Sequence, residues 1–205
     1  MELDDLKSAW AQYDKKLAVN LKFNEELLRK MNLNTSKKEM QKPLLYELFN
    51  IASIFLGFVY VTASSIQFIN EPKYCIPGFI SALIGLAFIV FAIKKANKLL
   101  SIDYYGSSVV KLQKDIATLN RLVLKLRKYE LVLFPLLILP LLPILFKAIH
   151  NIDIYQNLKL FSIEIILILG IGFPLTLWTN KHLYDKKFKN TERLLQEIEK
   201  FESEI

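Results

Sequence analysis

The chain has 205 residues, of which 53% are hydrophobic and 23% are charged, and its formal net charge is +7. A mean hydropathy of +0.28 is high for so charged a chain, so apolar and charged residues must be segregated along the sequence. The single cysteine, Cys75, excludes an internal disulfide.

The N-terminal segment, 1–47, begins with an amphipathic pattern. Its apolar positions recur every three or four residues, which places them on one face of a helix: Leu3, Leu6, Trp10, Tyr13 and Leu17. Residues 1–17 hold four acids and three bases, and this balance argues against a helix that lies on a membrane surface. We expect the face to bind a partner helical surface, with Trp10 as the anchor.

Further along this segment, two capping signals predict separate short helices. Asn24 is a predicted N-cap for a helix over 25–33, and Ser36 begins a capping-box pattern that leads toward the first apolar run. Pro43 predicts a kink or an interruption of that approach. The segment is therefore expected to be helical but interrupted.

Four apolar runs follow the N-terminal segment. The runs 48–70 and 74–93 hold 23 and 20 residues without a charge, enough to cross a hydrocarbon core of ~30 Å at ~1.5 Å per residue. The run 131–146 has 16 uncharged residues and reaches that length if Lys147 snorkels, and 160–180 has 21 residues with one acid. These lengths favour membrane spans over the buried helices of a soluble bundle.

The distribution of basic residues predicts the orientation of the spans. The segments 1–47, 94–130 and 181–205 hold 24 of the 27 Lys and Arg residues. By the positive-inside rule they face the cytoplasm, and the spans form two transmembrane hairpins, 48–93 and 131–180. We therefore expect a multi-pass protein of a bacterial inner membrane with both termini in the cytoplasm and an uncleaved first span.

Two of the cytoplasmic segments carry apolar seams at alternating spacings of three and four residues. The seam positions are Leu112, Ile116, Leu119, Val123 and Leu126 in 94–130, and Leu194, Ile198 and Phe201 in 181–205. The first seam helix is mainly basic and the second mainly acidic, so we predict that they pair as a small bundle or coiled coil, with 3–17 as a further candidate member. In the alternative, 107–130 lies flat on the membrane and the chain ends are loosely helical.

The spans contain one acidic residue, Glu164. An acid inside a membrane is a functional candidate by default, and the alternative is a structural ion pair or hydrogen bond near the outer headgroups. Candidate partners lie toward the same side of the membrane: Gln67, Lys73, Lys147, His150 and Lys159. Because Pro135, Pro140 and Pro143 predict a kinked third span, transport through this span and Glu164 is a second candidate function.

Small residues in the second span predict close helix packing. They lie near one face, at Gly78, Ser81, Ala82 and Gly85. Such a face supports either packing within the chain or pairing with a second copy. The first is favoured because the hairpin itself needs a close contact.

The opening MELDDLKSAWAQYDKKL, the following NEELLRKMNLNTSKKEMQKPLLYE and the four spans resemble a group of small Bacteroidetes-type membrane proteins. Members of that group are commonly associated with genes for extracytoplasmic-function sigma factors. The resemblance implies a membrane-tethered cytoplasmic module that sequesters a sigma factor. The His-x3-Cys-x2-Cys motif of zinc-containing anti-sigma factors does not occur in this sequence.

The sequence thus predicts an all-α, four-helix transmembrane protein with amphipathic cytoplasmic helices. The motifs of common hydrolases, nucleotide-binding loops and zinc sites are absent from it, so we expect no enzyme, no cofactor and no metal. The expected partners are membrane lipids, a cytoplasmic protein and, as a further candidate, a second copy. Direct nucleic-acid binding is not expected. The expected role is to present a helical surface for protein interaction, with regulation of the partner as the specific hypothesis.

Overall fold

A computed structural model describes the backbone of residues 3–203 and the side chains of residues 10, 12–17 and 19–200. Within this part of the chain all regular structure is helical, which confirms the all-α fold. The helices are α1 (Leu3–Gln67), α2 (Pro72–Leu100), α3 (Val109–His150), α4 (Leu158–Asn180) and α5 (Lys186–Ser203). A 3-10 turn at Ile154–Gln156 precedes α4, and a π-helical turn at Lys181–Asp185 joins α4 to α5.

Four helices are long and apolar enough to cross a membrane, the arrangement of a multi-pass membrane protein. Large apolar side chains such as Phe55, Leu83 and Ile166 point away from the protein, as expected for surfaces that face lipid. We call the end that holds 33–47, 94–130 and 181–200 the basic end, and the opposite end, with the short connections, the loop end.

The helix α1 is continuous, which corrects the expectation of short, separately capped helices. Asn24 and Ser36 are interior positions of this helix, and Pro43 lies inside it. Proline removes only one backbone donor, and segment 1–47 contains no glycine that would favour a break. The second half of α1 is also held by packing, because its buried positions recur at alternating spacings of three and four: Leu33, Ser36, Met40, Pro43 and Glu47.

The predicted bundle is present at the basic end. The five seam positions of α3 are all buried: Leu112, Ile116, Leu119, Val123 and Leu126. The first four form one core with α5 and with the second half of α1. Leu99 at the end of α2 and Ile102 just after it belong to the same core. The part of α1 that belongs to the bundle is therefore 33–47. The prediction that 3–17 joins the bundle is wrong for the side chains that the structure describes, since Trp10 and Tyr13 are exposed.

The seam of α5 differs by one residue from the prediction. Its buried positions are Phe188, Thr191, Leu195 and Ile198, which continue from the buried Tyr184 in the π-helical turn. Leu194 is only half-buried, and the side chain of Phe201 lies outside the described residues. Because Thr191 is polar, a pattern of apolar residues passes over it. The predicted seam then starts at Leu194, one residue before the buried Leu195.

The helix α3 runs without a break from the bundle into the third apolar run. Ser108 caps its N-terminus by accepting a hydrogen bond from the backbone N–H of Lys111 at 3.4 Å. Because the apolar seam of 109–130 is buried against the other helices, that face is not free to lie on a membrane surface, as the alternative of a flat helix requires. The helix also remains unbroken through its three prolines at 135, 140 and 143.

Candidate functional site

Four residues that flank the four apolar runs meet at the basic end. Glu47 precedes the first run, Lys95 follows the second, Glu130 precedes the third, and Tyr184 lies in the π-helical turn after the fourth. The runs alternate in direction, so these four ends lie at one level of the protein. We call this group the ion cluster.

In the ion cluster, one ammonium group lies between two carboxylates. Lys95 Nζ is 2.7 Å from Glu47 Oε1 and 2.8 Å from Glu130 Oε1. The Tyr184 hydroxyl donates a hydrogen bond to the same Glu47 oxygen. The side chains of Lys95, Glu47 and Glu130 are 5%, 0% and 15% exposed, so solvent screens the group little. A buried ionic group of this kind persists only when each charge keeps its partner.

The protonation states agree with these contacts. Lys95 lies two residues beyond the apolar run, where burial lowers the pKa of its ammonium group. The attraction of Glu47 and Glu130 outweighs burial, and the pKa of Lys95 is raised above its usual value. Burial, and next the charge of Glu47, raise the pKa of Tyr184, so its phenol stays protonated and can donate.

Further contacts surround the ion cluster and attach α5 to the bundle. Arg127 Nη2 of α3 lies 2.7 Å from Asp185 Oδ1 in the π-helical turn. Lys187 Nζ of α5 lies 2.5 Å from Glu39 Oε2 of α1. The ring of Tyr184 packs between Tyr46 and Phe188, at centroid distances of 6.4 and 6.1 Å. These contacts fix the position of α5 relative to the spans.

The ion cluster has the features of a structural junction. Lys95 Nζ is occupied by two carboxylates, and the described residues include no group of three or more His, Cys, Asp or Glu side chains arranged to hold a metal ion. The ion cluster holds α1, α2, α3 and the π-helical turn together where the apolar runs meet the bundle. It also leaves Glu47 Oε2 buried without a hydrogen bond from any described residue.

The loop end has its own, more exposed junction between the two hairpins. Lys73 Nζ lies 2.5 Å from Asp153 Oδ2, and the Tyr155 hydroxyl donates to the Lys73 carbonyl at 3.1 Å. Lys147 Nζ lies 5.8 and 5.6 Å from the ring centroids of Phe68 and Tyr74. The two hairpins are therefore connected at both ends of the apolar region.

Two of the predicted partners of Glu164 make other contacts at the loop end. Lys73 is paired with Asp153, and Lys147 lies against aromatic rings. Glu164 is half-buried in α4, and the structure gives it no ion pair or hydrogen bond with a described residue. The structural alternative, an ion pair near the outer headgroups, is therefore not formed in the described part of the chain.

The predicted partner-binding residues lie on a part of α1 that the bundle does not cover. We call residues 3–32 of α1 the arm. Trp10, Tyr13 and Leu17 are 69%, 70% and 49% exposed. The side chains of Leu3 and Leu6 lie outside the described residues. Among the described side chains of α1 the first buried one is Leu33, so the described part of the arm extends past the bundle as a helix with an exposed apolar face.

The small residues of the second span do two different things. Gly78 lies against the Ser65 side chain, where no larger residue would fit, as intramolecular packing predicts. Gly85 instead borders open space, together with Gly57 of the first span, in an apolar groove of about 240 Å³ between α1, α2 and α3.

The ion cluster was the feature that sequence reasoning missed. Its signal is a charged residue within two positions of three of the four apolar runs: Glu47, Lys95 and Glu130. The positive-inside rule depends on basic residues alone, so the two acids, Glu47 and Glu130, do not enter it. Comparisons with protein-family models, with curated proteins and with solved structures find no match for this chain.

Proposed function

We propose that this protein is a multi-pass protein of a bacterial inner membrane that presents a cytoplasmic helical bundle and arm to a soluble protein partner and regulates that partner. One observation carries the proposal: Trp10, Tyr13 and Leu17 lie exposed on one helical face that the rest of the described chain leaves uncovered. Tryptophan and tyrosine are the residues most enriched at the centres of protein interfaces.

The charge distribution supports the cytoplasmic orientation. Of the 27 Lys and Arg residues, 24 lie in the three segments that extend from the basic end of the spans. Positive charge beside membrane spans is retained on the cytoplasmic side. A partner on that side is consequently soluble and intracellular.

The continuity of α1 supports a protein partner over lipid. Leu17 lies 31 residues before the first apolar run, which is about 46 Å along a straight helix. A face at that distance does not reach the headgroups of its own membrane. The balanced charge of residues 1–17 points the same way, because membrane-surface helices carry a basic polar face.

The ion cluster supports a role as a fixed base for the arm. It ties α1 to α2, to α3 and to the turn before α5 directly below the bundle. The resemblance of the sequence to membrane proteins associated with sigma factors makes a sigma factor the specific candidate for the partner. In that case the membrane tether would hold the sigma factor away from the transcription machinery.

Site-specific photo-crosslinking in living cells tests the proposal. A photoreactive amino acid would replace Trp10, Tyr13 or Leu17, and matched control positions on the opposite face would be Gln12, Lys15 and Val19, all of which are exposed. The proposal expects one soluble protein to be crosslinked from the first three positions and not from the controls. Crosslinks only to lipid, or equal crosslinking from both faces, would contradict it.

Transport through the third span and Glu164 remains the second candidate, and one observation favours it: Glu164 has no ion pair or hydrogen bond with a described residue. A carboxylate without a partner inside a membrane is unusual unless it contacts a solute or another chain. In a strain that depends on this protein, Glu164→Gln would abolish function while arm crosslinking persists if transport is correct. Under the partner-binding proposal, Glu164→Gln retains both.

A further inference from the structure

A row of basic side chains runs along the outer face of α3. We call this row the basic stripe: Lys111, Lys114, Arg121, Lys125 and Lys128. All five side chains are exposed. Their spacings of 3, 7, 4 and 3 residues place them on one helical face, opposite the buried seam. From Lys111 to Lys128 the stripe is about 26 Å long.

The basic stripe is fixed in place, and apart from a longer-range attraction between Lys111 and Asp103 its charges have no acidic partner in the described part of the chain. The opposite face of α3 is packed in the core, where Leu119 is 0% exposed, so the helix cannot rotate. The acids nearest to the stripe in sequence pair elsewhere. Asp115 pairs with Lys98, and Glu130 with Lys95. None of the five stripe residues forms an ion pair with a described residue.

The protein's own membrane cannot cover the upper part of the stripe. Because α3 continues without a break into the apolar run that starts at 131, Lys114 lies about 26 Å and Lys111 about 30 Å from that run along the helix. Attraction to charged lipid falls off within a Debye length of about 8 Å at physiological salt. Only Lys125 and Lys128 are close enough to reach headgroups.

We propose that the basic stripe is the docking surface for an acidic helix or acidic face of the soluble partner. This inference rests on the proposed function and names the chemistry of the partner: carboxylates spaced along about 26 Å, the length of a helix of about 17 residues. A protein is favoured over nucleic acid. From 109 to 128 the sequence of α3 contains no aromatic residue, so no ring of this helix lies beside the upper charges to stack bases. The first aromatic residue of α3, Tyr129, lies next to the apolar run and packs against Phe91 at a centroid distance of 6.2 Å.

A binding experiment on the full chain in nanodiscs of uncharged lipid tests the inference. The probe is a fluorescent 20-residue helical peptide with glutamates along one face, measured beside a 20-base-pair DNA duplex at the same salt. The triple variant Lys111→Gln, Lys114→Gln, Arg121→Gln is expected to weaken peptide binding at least tenfold. The matched control Lys38→Gln, Lys42→Gln, Lys189→Gln removes the same charge from exposed positions and should change it less than twofold.

Three results would overturn the inference. The first is undetectable peptide binding, and the second is equal weakening of peptide binding by both triple variants. The third is a DNA duplex that binds more tightly than the peptide and loses its binding when Lys111, Lys114 and Arg121 are replaced. None of these results depends on Trp10, Tyr13 or Leu17. The inference can therefore fail while arm crosslinking succeeds, and failure of arm crosslinking alone would reject the proposed function and leave the peptide result intact.

Discussion

Lys95 Nζ lies 2.7 Å from Glu47 Oε1, although the two residues are 48 positions apart and belong to different helices. Both side chains are buried, and Glu130 and Tyr184 complete the group. The group joins α1, α2, α3 and the π-helical turn at the level where the apolar runs meet the bundle.

Removal of the central charge should destabilise the protein strongly. Lys95→Met leaves two carboxylates facing each other in a buried site, which costs about 3–5 kcal/mol in the free energy of unfolding. The measurement is equilibrium unfolding in detergent micelles. The neighbouring Lys94 is exposed, so Lys94→Met is the matched control and should change the free energy by less than about 0.5 kcal/mol. Equal effects of the two substitutions would show that the ion cluster is not a stabilising junction.

Removal of a single hydroxyl should distinguish the donor in the ion cluster from a similar buried tyrosine. Tyr184→Phe removes a hydrogen bond to a charged carboxylate and should cost about 1.5–3 kcal/mol. Tyr104 is also buried, but its hydroxyl has no hydrogen-bond partner among the described residues. Tyr104→Phe should therefore be neutral or stabilising. A larger loss at Tyr104 than at Tyr184 in the same unfolding assay would refute the hydrogen bond.

The register of α5 can be tested with two adjacent leucines. Leu195 is 0% exposed in the core of the bundle, and Leu195→Ala should destabilise by about 2–5 kcal/mol. Leu194 is half-buried, so Leu194→Ala should cost at least about 1 kcal/mol less, since it leaves no closed cavity. If the two losses are equal or reversed, the seam begins at Leu194 and the register described above is wrong.

The acid in the fourth span should be dispensable for stability. Because Glu164 has no ion pair or hydrogen bond with a described residue, Glu164→Gln removes an expensive charge and breaks no contact. We expect the thermal midpoint in lipid nanodiscs to stay the same or to rise. A fall in the midpoint would mean that Glu164 holds the protein together through a contact with another chain or an ion.

Much of the fold follows from the sequence because apolar and charged residues are cleanly separated. The four spans follow from run length, and the α3 seam follows from its spacing, since all five of its positions are apolar. The α1 seam could not be found in this way. Ser36, Pro43 and Glu47 occupy buried positions that an apolar pattern skips, and Thr191 has the same effect in α5.

The ion cluster and the basic stripe escaped prediction for a different reason. Glu47, Lys95 and Glu130 are far apart in sequence, and only the antiparallel arrangement of the spans brings them to one level. The stripe residues were recognised as basic, but whether they face lipid or solvent depends on the direction of 109–130. That direction is set by the continuity of α3, which a sequence pattern with three prolines does not suggest.

Determining the side of the membrane on which the basic end lies is the most direct test, because the arm and the basic stripe need a soluble intracellular partner. In a Cys75→Ser background, Asn70→Cys places a thiol at the loop end and Lys189→Cys places one at the basic end, both at exposed positions. A membrane-impermeant maleimide should label Asn70→Cys in intact spheroplasts and Lys189→Cys only after the membrane is permeabilised. Labelling of Lys189→Cys in intact spheroplasts, with Asn70→Cys protected, would contradict the account.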